Sequence, residues 1–194
     1  MKGKAKAVFL DRDGTISHEA GYIDSVDDFK LYPYSAESLA ALRSMGFKIV
    51  IVTNQSGVAL GLFTESRVQE INDRMRTLLK NEGVTIDGIY YCPHFPDGVV
   101  AEYAKECACR KPDIGMIKKA ENELNLDLNS SIIVGDKLTD IACGHNAGMK
   151  TVLVRTGYGK DEEKKLGKSQ ADEQPDVILD TLKDVVEWIK NEKL

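Results

Sequence analysis

Near its start the chain reads Ala7-Val8-Phe9-Leu10-Asp11-Arg12-Asp13-Gly14-Thr15. The first four of these residues are apolar and polar ones follow at once, a pattern typical of a short strand that is buried on both faces of a parallel sheet. Two carboxylates, Asp11 and Asp13, come directly after this strand, and Gly14 lets the backbone turn there. Because ligands bind at the carboxyl ends of the strands in open parallel sheets, this end is a candidate site. Taken alone, Asp and Gly after a strand more often form an ordinary turn.

Apolar runs and helical patterns alternate along the rest of the chain. Further strands are predicted at 47–52, 86–91, 131–134, 151–154 and 177–179. Amphipathic helices are predicted at 36–45, 64–82, 117–124 and 182–189, where apolar residues recur at spacings of three and four. The polar stretch 160–175 is expected to be a linker. This alternation predicts an α/β fold with a mostly parallel sheet, and the length fits a single domain over residues 1–194.

The composition excludes several classes of protein. The chain has 26 Lys and Arg against 31 Asp and Glu, and its net charge of −5 argues against a protein that coats nucleic acid or an anionic membrane. No apolar run approaches the roughly 20 residues that span a bilayer, and the run 7–10 after the basic start is too short for a signal peptide. We therefore expect a cytoplasmic monomer with no nucleic-acid partner and no membrane partner.

Polar clusters also follow the second and fourth predicted strands. The second is followed by Thr53-Asn54-Gln55-Ser56-Gly57, whose hydroxyl and amide groups could hold phosphate oxygens, and the fourth by Gly135-Asp136-Lys137-Leu138-Thr139-Asp140. Each cluster alone is also explained by a plain loop. Together, Asp11, Asp13 and Asp136 would concentrate negative charge in one crevice, and a few carboxylates with room for water favour Mg²⁺. Thr53 and Lys111 could then hold a phosphoryl group.

Three of the four cysteines lie in one short segment with a histidine. Cys92, His94, Cys107 and Cys109 supply three thiolates and one imidazole, which is a complete tetrahedral set for Zn²⁺ with no position left for water. Such a closed site is structural, and it would organise the loop at about 92–109. Free thiols or a disulfide are the alternative, although a Cys-x-Cys pair makes a poor disulfide. Cysteines that are used in this way fit a reducing compartment.

The ordered set of motifs resembles the haloacid dehalogenase (HAD) superfamily of phosphohydrolases: Asp-x-Asp-Gly-Thr, a strand ending in Thr, a Lys, and Gly-Asp-x-x-x-Asp. The resemblance implies a HAD-like, Rossmannoid three-layer α/β fold. It makes Asp11 the nucleophile that forms an aspartyl-phosphate, and Asp13 the general acid and then the base. It also implies that Thr53 and Lys111 hold the phosphoryl group. Mg²⁺ would be bound by the Asp11 carboxylate, the Asp13 backbone carbonyl and Asp136.

A second resemblance narrows the family. With the zinc-type loop, the segments His18-Glu19-Ala20-Gly21-Tyr22 and Cys109-Arg110-Lys111-Pro112 are similar to those of the D-glycero-D-manno-heptose-1,7-bisphosphate 7-phosphatase family. This implies Mg²⁺-dependent removal of the 7-phosphate from a small-molecule sugar bisphosphate, in nucleotide-activated heptose biosynthesis. The implied substrate-binding residues are Arg12, Glu19, Ala20, Gly21, Tyr22, Thr53, Asn54, Gln55, Ser56, Arg110, Lys111 and Lys137. Leu60 stands where the family often has Arg, which puts an outer phosphate contact from that turn in question.

Other functions fit parts of the same pattern. A histidinol-phosphate phosphatase shares the catalytic set and a shorter zinc loop, whereas a non-catalytic zinc-stabilised binding module would have no need of the acid and base pair. A nucleic-acid end-processing phosphatase conflicts with the acidic charge balance. The intervals from Asp13 to Thr53 and from Thr53 to Lys111 are filled by predicted elements, so no cap domain is expected. Substrate selection would then fall to the rim loop 17–28 and to the zinc loop.

Overall fold

The computed structural model describes residues 3–166 and 174–192, and its named strands form a single six-stranded sheet. The strands are β1 (Ala7–Leu10), β2 (Lys48–Asn54), β3 (Gly88–Cys92), β4 (Ile132–Gly135), β5 (Lys150–Val154) and β6 (Val177–Leu179). Their spatial order is β3-β2-β1-β4-β5-β6, and every pairing between them is parallel. The predicted α/β fold with a parallel sheet is therefore confirmed.

Helices connect and cover these strands. They are α1 (Ser35–Ser44), α2 (Glu65–Asn81), α3 (Gly115–Leu124), α4 (Leu138–Asn146), α5 (Gly159–Glu163) and α6 (Leu182–Glu192). Thr64 caps α2, because its hydroxyl accepts a hydrogen bond from the Arg67 N–H at 3.2 Å. Helix α5 overlaps the start of the stretch 160–175, which was expected to be a linker. Residues 167–173 of that stretch lie outside the described residues.

The two larger apolar cores among the described residues lie on opposite faces of the sheet. Strand β1 alternates between them, since Val8 and Leu10 pack with side chains of α1, α2 and α6 while Ala7 and Phe9 pack with α3. These four side chains are fully buried, and burying a large apolar side chain stabilises a fold by about 1.5–3 kcal/mol. The result is the three-layer arrangement that the HAD-like resemblance implied.

The topology brings three strand ends to one place. From β1 the chain moves to β2 and β3 on one side of the sheet, then crosses back to β4, β5 and β6 on the other side. Strand β1 is therefore the point where the strand order reverses, and crevices for ligands form at such points. Residues that follow β1, β2 and β4 meet at this edge of the sheet.

The connections at this edge are short. Within the described residues, the segments between β1 and α1, β2 and α2, and β3 and α3 hold turns and isolated bridges but no separate cap domain. No helix of 3–166 or 174–192 has the length and hydropathy required to cross a bilayer.

Candidate active site

Asp11, the residue predicted to be the nucleophile, is held by the end of β1 and by a buried lysine. The Asp11 N–H continues the pairing with β4 by donating to the carbonyl of Val134 at 3.0 Å. The Lys111 Nζ lies 3.0 Å from Asp11 Oδ1 and 2.7 Å from the carbonyl oxygen of Val52. Burial lowers the pKa of Lys111, but Asp11 and Asp140 more than offset this and raise it above its usual value. The lysine therefore stays charged beside the carboxylate, although 100 positions separate the two residues.

Three carboxylates cluster at this edge of the sheet, and two of them, Asp11 and Asp140, pair with Lys111. One oxygen from each of Asp11, Asp136 and Asp140 lies within 4.8 Å of the other two. Burial, followed by the charges of Asp11 and Asp140, raises the pKa of Asp136 to about 8, and burial with Asp11 raises that of Asp140 to about 6 despite Lys111. Like charges at this separation are unfavourable unless a cation lies among them.

The surroundings of Asp136 fit a hard divalent cation. Its Oδ2 accepts a hydrogen bond from the Tyr158 N–H at 2.8 Å, while its buried Oδ1 has no protein partner. A Cβ on Gly14 or on Gly157 would lie 2.1 Å from Oδ2, so only glycine backbone can approach the carboxylate there. An all-oxygen donor set with few carboxylates is the type that Mg²⁺ prefers. These residues could hold the ion.

Asp140 was missed as a site residue. It follows Asp136 in the Gly-Asp-x-x-x-Asp motif, and its Oδ1 forms a buried ion pair with Lys111 at 2.5 Å. Its Oδ2 accepts from the Lys137 N–H at 3.1 Å and so caps α4. The motif spacing was a usable signal, because a residue in the first turn of a helix that follows a strand points back to the strand end.

Asp13 is held away from the three clustered carboxylates. Its carboxylate accepts hydrogen bonds from Arg12 Nε at 3.0 Å and Nη2 at 2.8 Å, and from Gln55 Nε2 at 3.0 Å. Ser17 Oγ adds a bond at 3.3 Å. Burial raises the pKa of Asp13, but Arg12, Gln55 and Lys137 together bring it below its ordinary value. The carboxylate borders the crevice and is 13% exposed.

Arg12 was expected to bind substrate, and in the structure its guanidinium is bound by protein partners. Its side chain is 1% exposed, and its guanidinium binds Asp13 and, through Nη1 at 3.0 Å, the side-chain oxygen of Asn72 on α2. Its Nε, Nη1 and Nη2 are thus all engaged by protein partners, although the residue borders the crevice. The resemblance identified the position, but it could not indicate the direction of the side chain.

A crevice of about 350 Å³ opens above these groups. The expected residues that line it are Asp11, Arg12, Asp13, Glu19, Gly21, Tyr22, Thr53, Asn54, Gln55, Ser56, Arg110 and Lys137. Lys111 and Asp136 are buried and do not line it, while Ala20 is exposed outside it. Side chains that were not expected there are Ile23, Phe63, Thr139 and Tyr158.

Donors on the turn after β2 face this crevice. Gln55 Nε2 donates to Thr53 Oγ1 at 2.9 Å as well as to Asp13, so one amide links the two groups. Ser56 Oγ accepts from Arg110 Nη1 at 2.9 Å. This arrangement suits a tetrahedral anion with several oxygen atoms.

The rim carries paired charges. Lys137 Nζ lies 3.4 Å from Glu19 Oε2 and 4.7 Å from the centre of the Tyr158 ring. Burial lowers the pKa of Lys137, but Asp11, Asp136 and Glu19 raise it overall. Tyr22 is 55% exposed at the mouth of the crevice. The rim therefore presents a cation and an aromatic ring to solvent.

The cysteine cluster lies beside the crevice. The Sγ atom of Cys109 is 3.1 Å from those of Cys92 and Cys107, and His94 Nδ1 is 3.3 Å from it. Because sulfurs bound to one zinc at about 2.3 Å lie a little under 4 Å apart, four such ligands could close around a metal ion. All four cysteines are free thiols, which leaves the disulfide alternative without support.

The cluster is tied directly to Arg110. The Arg110 Nη1 donates to the carbonyl oxygen of His94 at 3.1 Å, and its guanidinium lies 4.9 Å from the centre of the Phe95 ring. Glu65 holds the loop from the other side, since its two oxygens accept from the hydroxyls of Tyr91 and Tyr103 at 2.8 Å each. Folding of the loop thus sets the position of the Arg110 guanidinium at the crevice.

Several known proteins are similar to this chain in sequence and fold. Residues 108–185 match the HAD-hydrolase-like family. A D-glycero-beta-D-manno-heptose-1,7-bisphosphate 7-phosphatase of Yersinia pestis is 44% identical over 98% of both chains. An alpha-anomer counterpart of Photorhabdus laumondii is 44% identical over 82% of this chain and 87% of its own. The D,D-heptose 1,7-bisphosphate phosphatase of B. bronchiseptica, solved with magnesium and phosphate, has a TM-score of 0.83 and 33% identity, covering 96% of this chain and 99% of its own.

Proposed function

This chain belongs to the family of D-glycero-D-manno-heptose-1,7-bisphosphate 7-phosphatases, and from that premise we propose that it hydrolyses the 7-phosphate ester of such a bisphosphate. The observation that carries the proposal is the meeting of Asp11, Asp13 and Thr53 at one crevice, where buried Lys111 pairs with Asp11 and a cluster of carboxylates lies beside them. A binding module that lacks chemistry would not need an acid beside a lysine-paired nucleophile.

In the first step the Asp11 carboxylate attacks phosphorus. A bond forms between the Asp11 oxygen and phosphorus, the bond from phosphorus to the sugar oxygen breaks, and Asp13 gives a proton to that oxygen. Because the pKa of Asp13 is lowered in the protein without ligand, Asp13 takes up this proton when the negatively charged phosphate lies beside it. Lys111 and Thr53 hold the phosphoryl oxygens during the transfer. The products are the heptose 1-phosphate and an aspartyl-phosphate.

In the second step water replaces Asp11 on phosphorus. The Asp13 carboxylate takes a proton from the attacking water, the bond between Asp11 and phosphorus breaks, and inorganic phosphate leaves. Asp13 is protonated again, so the enzyme is ready for the next substrate. One residue thus serves both steps because its proton is lost in the first and regained in the second.

Mg²⁺ would be held by the carboxylates of Asp11 and Asp136 and by the backbone carbonyl of Asp13. When bound, it would screen the repulsion between the nucleophile and the phosphate dianion. The buried, unpartnered Oδ1 of Asp136 supports this assignment.

Zn²⁺ would be held by Cys92, His94, Cys107 and Cys109, in a structural role. Support comes from the four donor atoms within reach of one ion and from the bond between Arg110 and the carbonyl of His94. The ion would fix the loop that places Arg110 at the crevice.

Recognition of the second phosphate would come from the rim. Arg110 and Lys137 both line the crevice and are cationic, whereas the turn that carries Leu60 offers no charge. The outer phosphate contact therefore falls to Arg110, with Glu19 and Tyr22 near the sugar. We also propose a cytoplasmic monomer with a single catalytic domain, whose product enters nucleotide-activated heptose synthesis.

The test is a comparison of kcat/KM among substrates in the presence and absence of Mg²⁺. The heptose 1,7-bisphosphate, as separate α and β anomers, is compared with histidinol phosphate and a 3′-phosphorylated oligonucleotide. We expect Mg²⁺-dependent turnover with a strong preference for the bisphosphate. Equal or better turnover of histidinol phosphate would reject the proposed substrate, and a lack of turnover on every ester would favour a binding module.

A further inference from the structure

Arg12 is one of the largest fully buried side chains in the described part of the protein. Its Nε and Nη2 lie 3.0 and 2.8 Å from the two oxygens of Asp13, which is the forked, two-bond geometry that a guanidinium makes with a carboxylate. Burial of a charge is costly unless it is paired and hydrogen-bonded. The orientation of the guanidinium is therefore strongly determined by its partners.

The second partner, Asn72, is the unusual residue of α2. The other buried residues of this helix are Val68, Ile71, Met75 and Leu79, so Asn72 interrupts an apolar face while being only 3% exposed. A buried amide costs free energy unless it is hydrogen-bonded, and its Oδ1 accepts from Arg12 Nη1 at 3.0 Å. Packing of α2 against the sheet would be served equally by an apolar residue. The amide is explained by its bond to Arg12.

The remaining contacts of Asp13 complete a fixed carboxylate. Gln55 and Ser17 approach it at 3.0 and 3.3 Å, and the guanidinium carbon of Arg12 lies 5.8 Å from the centre of the buried Phe29 ring. Proton transfer to a leaving group requires the acid to lie within a few tenths of an ångström of its productive position. A flexible ammonium in place of the guanidinium could supply charge here but not the fork.

From this geometry we propose that Arg12 is a positioning residue, which is anchored by Asn72 and orients the Asp13 carboxylate for proton transfer without touching the substrate. The proposal rests on the proposed function, in which Asp13 protonates the departing sugar oxygen. Arg12 then acts on the chemical step through Asp13. Affinity for the substrate is governed by other groups.

The test compares two leaving groups in single turnovers with enzyme in excess. The heptose 1,7-bisphosphate releases an alcohol that must be protonated, whereas p-nitrophenyl phosphate releases a phenolate that leaves without a proton. For Arg12→Met we expect release of the alcohol to slow by about 100-fold, since a general acid contributes about 10²–10⁴-fold, and release of nitrophenolate to slow by less than about 5-fold. The KM for the bisphosphate should change by less than about 3-fold.

Two further variants separate orientation from folding. Arg12→Lys retains the charge without the fork, and should recover part of the lost alcohol release. Asn72→Leu keeps the contact between Arg12 and Asp13 and removes its anchor, and should show a smaller loss, of about 5- to 20-fold, with the same dependence on leaving group. If Arg12→Met does not fold, as thermal melting would reveal, the other two variants decide the matter.

Three outcomes would overturn the proposal: equal losses on both substrates, which indicate a structural role; no loss; or a rise in KM alone, which indicates a substrate contact. Failure of the proposed function looks different. Wild-type protein that hydrolyses an alkyl phosphate such as glycerol 3-phosphate but not the bisphosphate would reject the proposed substrate. The same comparison with that ester would still test Arg12.

Discussion

The side chain of Asn54 makes two hydrogen bonds to the backbone of Lys111. Its Nδ2 donates to the Lys111 carbonyl and its Oδ1 accepts from the Lys111 N–H, both at 3.1 Å. A side-chain amide presents a donor and an acceptor as a backbone amide does. The Asn54 side chain therefore binds the Lys111 backbone as a paired strand residue would. These two hydrogen bonds set the position from which the Lys111 side chain reaches Asp11.

Replacement of Asn54 by Ala should reduce both activity and stability. The variant leaves the N–H and C=O of Lys111 without these partners, which should cost about 1–3 kcal/mol of unfolding free energy. A displacement of Lys111 by about 1 Å should lower kcat by about 10²-fold. Activity assays and urea unfolding measure the two effects.

The matched control is Asn54→Asp, which can accept from the Lys111 N–H but cannot donate to its carbonyl. Its kcat should lie between those of the wild type and Asn54→Ala. An Ala variant with wild-type kcat would show that Lys111 does not need this support.

Asp11→Asn should abolish turnover and leave the fold intact. The amide cannot form the acyl-phosphate bond, so we expect kcat to fall by at least about 10³-fold. Because Asp11 raises the pKa values of both Asp136 and Asp140, its loss relieves repulsion in the metal-free protein. Its loss also removes the buried ion pair with Lys111, so melting of that protein should occur near the wild-type temperature.

The control for this substitution is Asp73→Asn, whose carboxylate is 72% exposed on α2 and should be neutral in both measurements. Substantial hydrolysis by Asp11→Asn would show that Asp11 is not the nucleophile.

A methyl group at residue 14 should disturb the proposed magnesium site. Gly14 has a φ of +86°, and a Cβ there would lie 2.1 Å from Asp136 Oδ2. For Gly14→Ala we expect the Mg²⁺ concentration that gives half-maximal activity to rise by about 10- to 100-fold. Metal affinity typically falls by this factor when a group that positions a metal ligand is changed.

Gly83→Ala provides a matched control. Gly83 also has a positive φ, of +77°, but a Cβ on this residue would meet no atom within 4 Å. Gly83→Ala should lower the unfolding free energy by about 1–2 kcal/mol, because its backbone conformation is unfavourable for alanine. The dependence of its activity on Mg²⁺ should be unchanged. Equal Mg²⁺ dependence in the two variants would contradict the site.

The sequence was sufficient for features that are locally encoded. Strand β1 and helix α2 were predicted from apolar runs and periodicity, and the convergence of Asp11 and Asp136 followed from the geometry of parallel sheets. Thr53 and Asn54 were expected in a turn but belong to β2, paired with Tyr91 and Cys92, because polar side chains at a strand end resemble a loop.

Features that depend on distant contacts were not predictable in this way. The inward direction of the Arg12 side chain depends on Asn72, which lies 60 positions away. The hydrogen bonds between Asn54 and Lys111 join residues that are 57 positions apart. Neither the spacing nor the residue types around Arg12 indicate which way its side chain points. The motif spacing could have indicated Asp140 as a site residue, but its ion pair with Lys111 could not be predicted in this way.

Loss of one cysteine should remove the metal of the cysteine cluster. Wild-type protein should contain about one Zn²⁺ per chain, and Cys107→Ser should contain far less, because a closed site needs four ligands. Its melting temperature should fall, and KM should rise as Arg110 loses its support. Elemental analysis, melting and kinetics provide the three readouts.

Cys143→Ala is the control for the cluster, since Cys143 is buried away from it and bonds the Asp113 carbonyl. It should keep its zinc although it loses some packing. Full zinc content in Cys107→Ser would refute the assignment of this ligand.

Asp87 should give the protein a stability that disappears in acid. Its carboxylate, at the opposite end of the sheet from the crevice, accepts from the Ile49 N–H at 2.9 Å and pairs with Lys48 and Arg43. Burial raises the pKa of Asp87, but these three donors lower it overall. A lowered pKa in the folded protein means that the contribution of Asp87 to stability is fully present above the unfolded pKa of about 3.9 and is lost as the pH falls through the folded pKa.

We expect Asp87→Asn to cost about 1 kcal/mol of unfolding free energy at pH 7, a small figure because solvent screens a partly exposed pair. Urea unfolding between pH 7 and pH 3 should show this difference constant down to about pH 5 and shrinking below about pH 4. If the difference in unfolding free energy between wild type and Asp87→Asn were as large at pH 3 as at pH 7, the charge of Asp87 would not be the source of its stabilising effect.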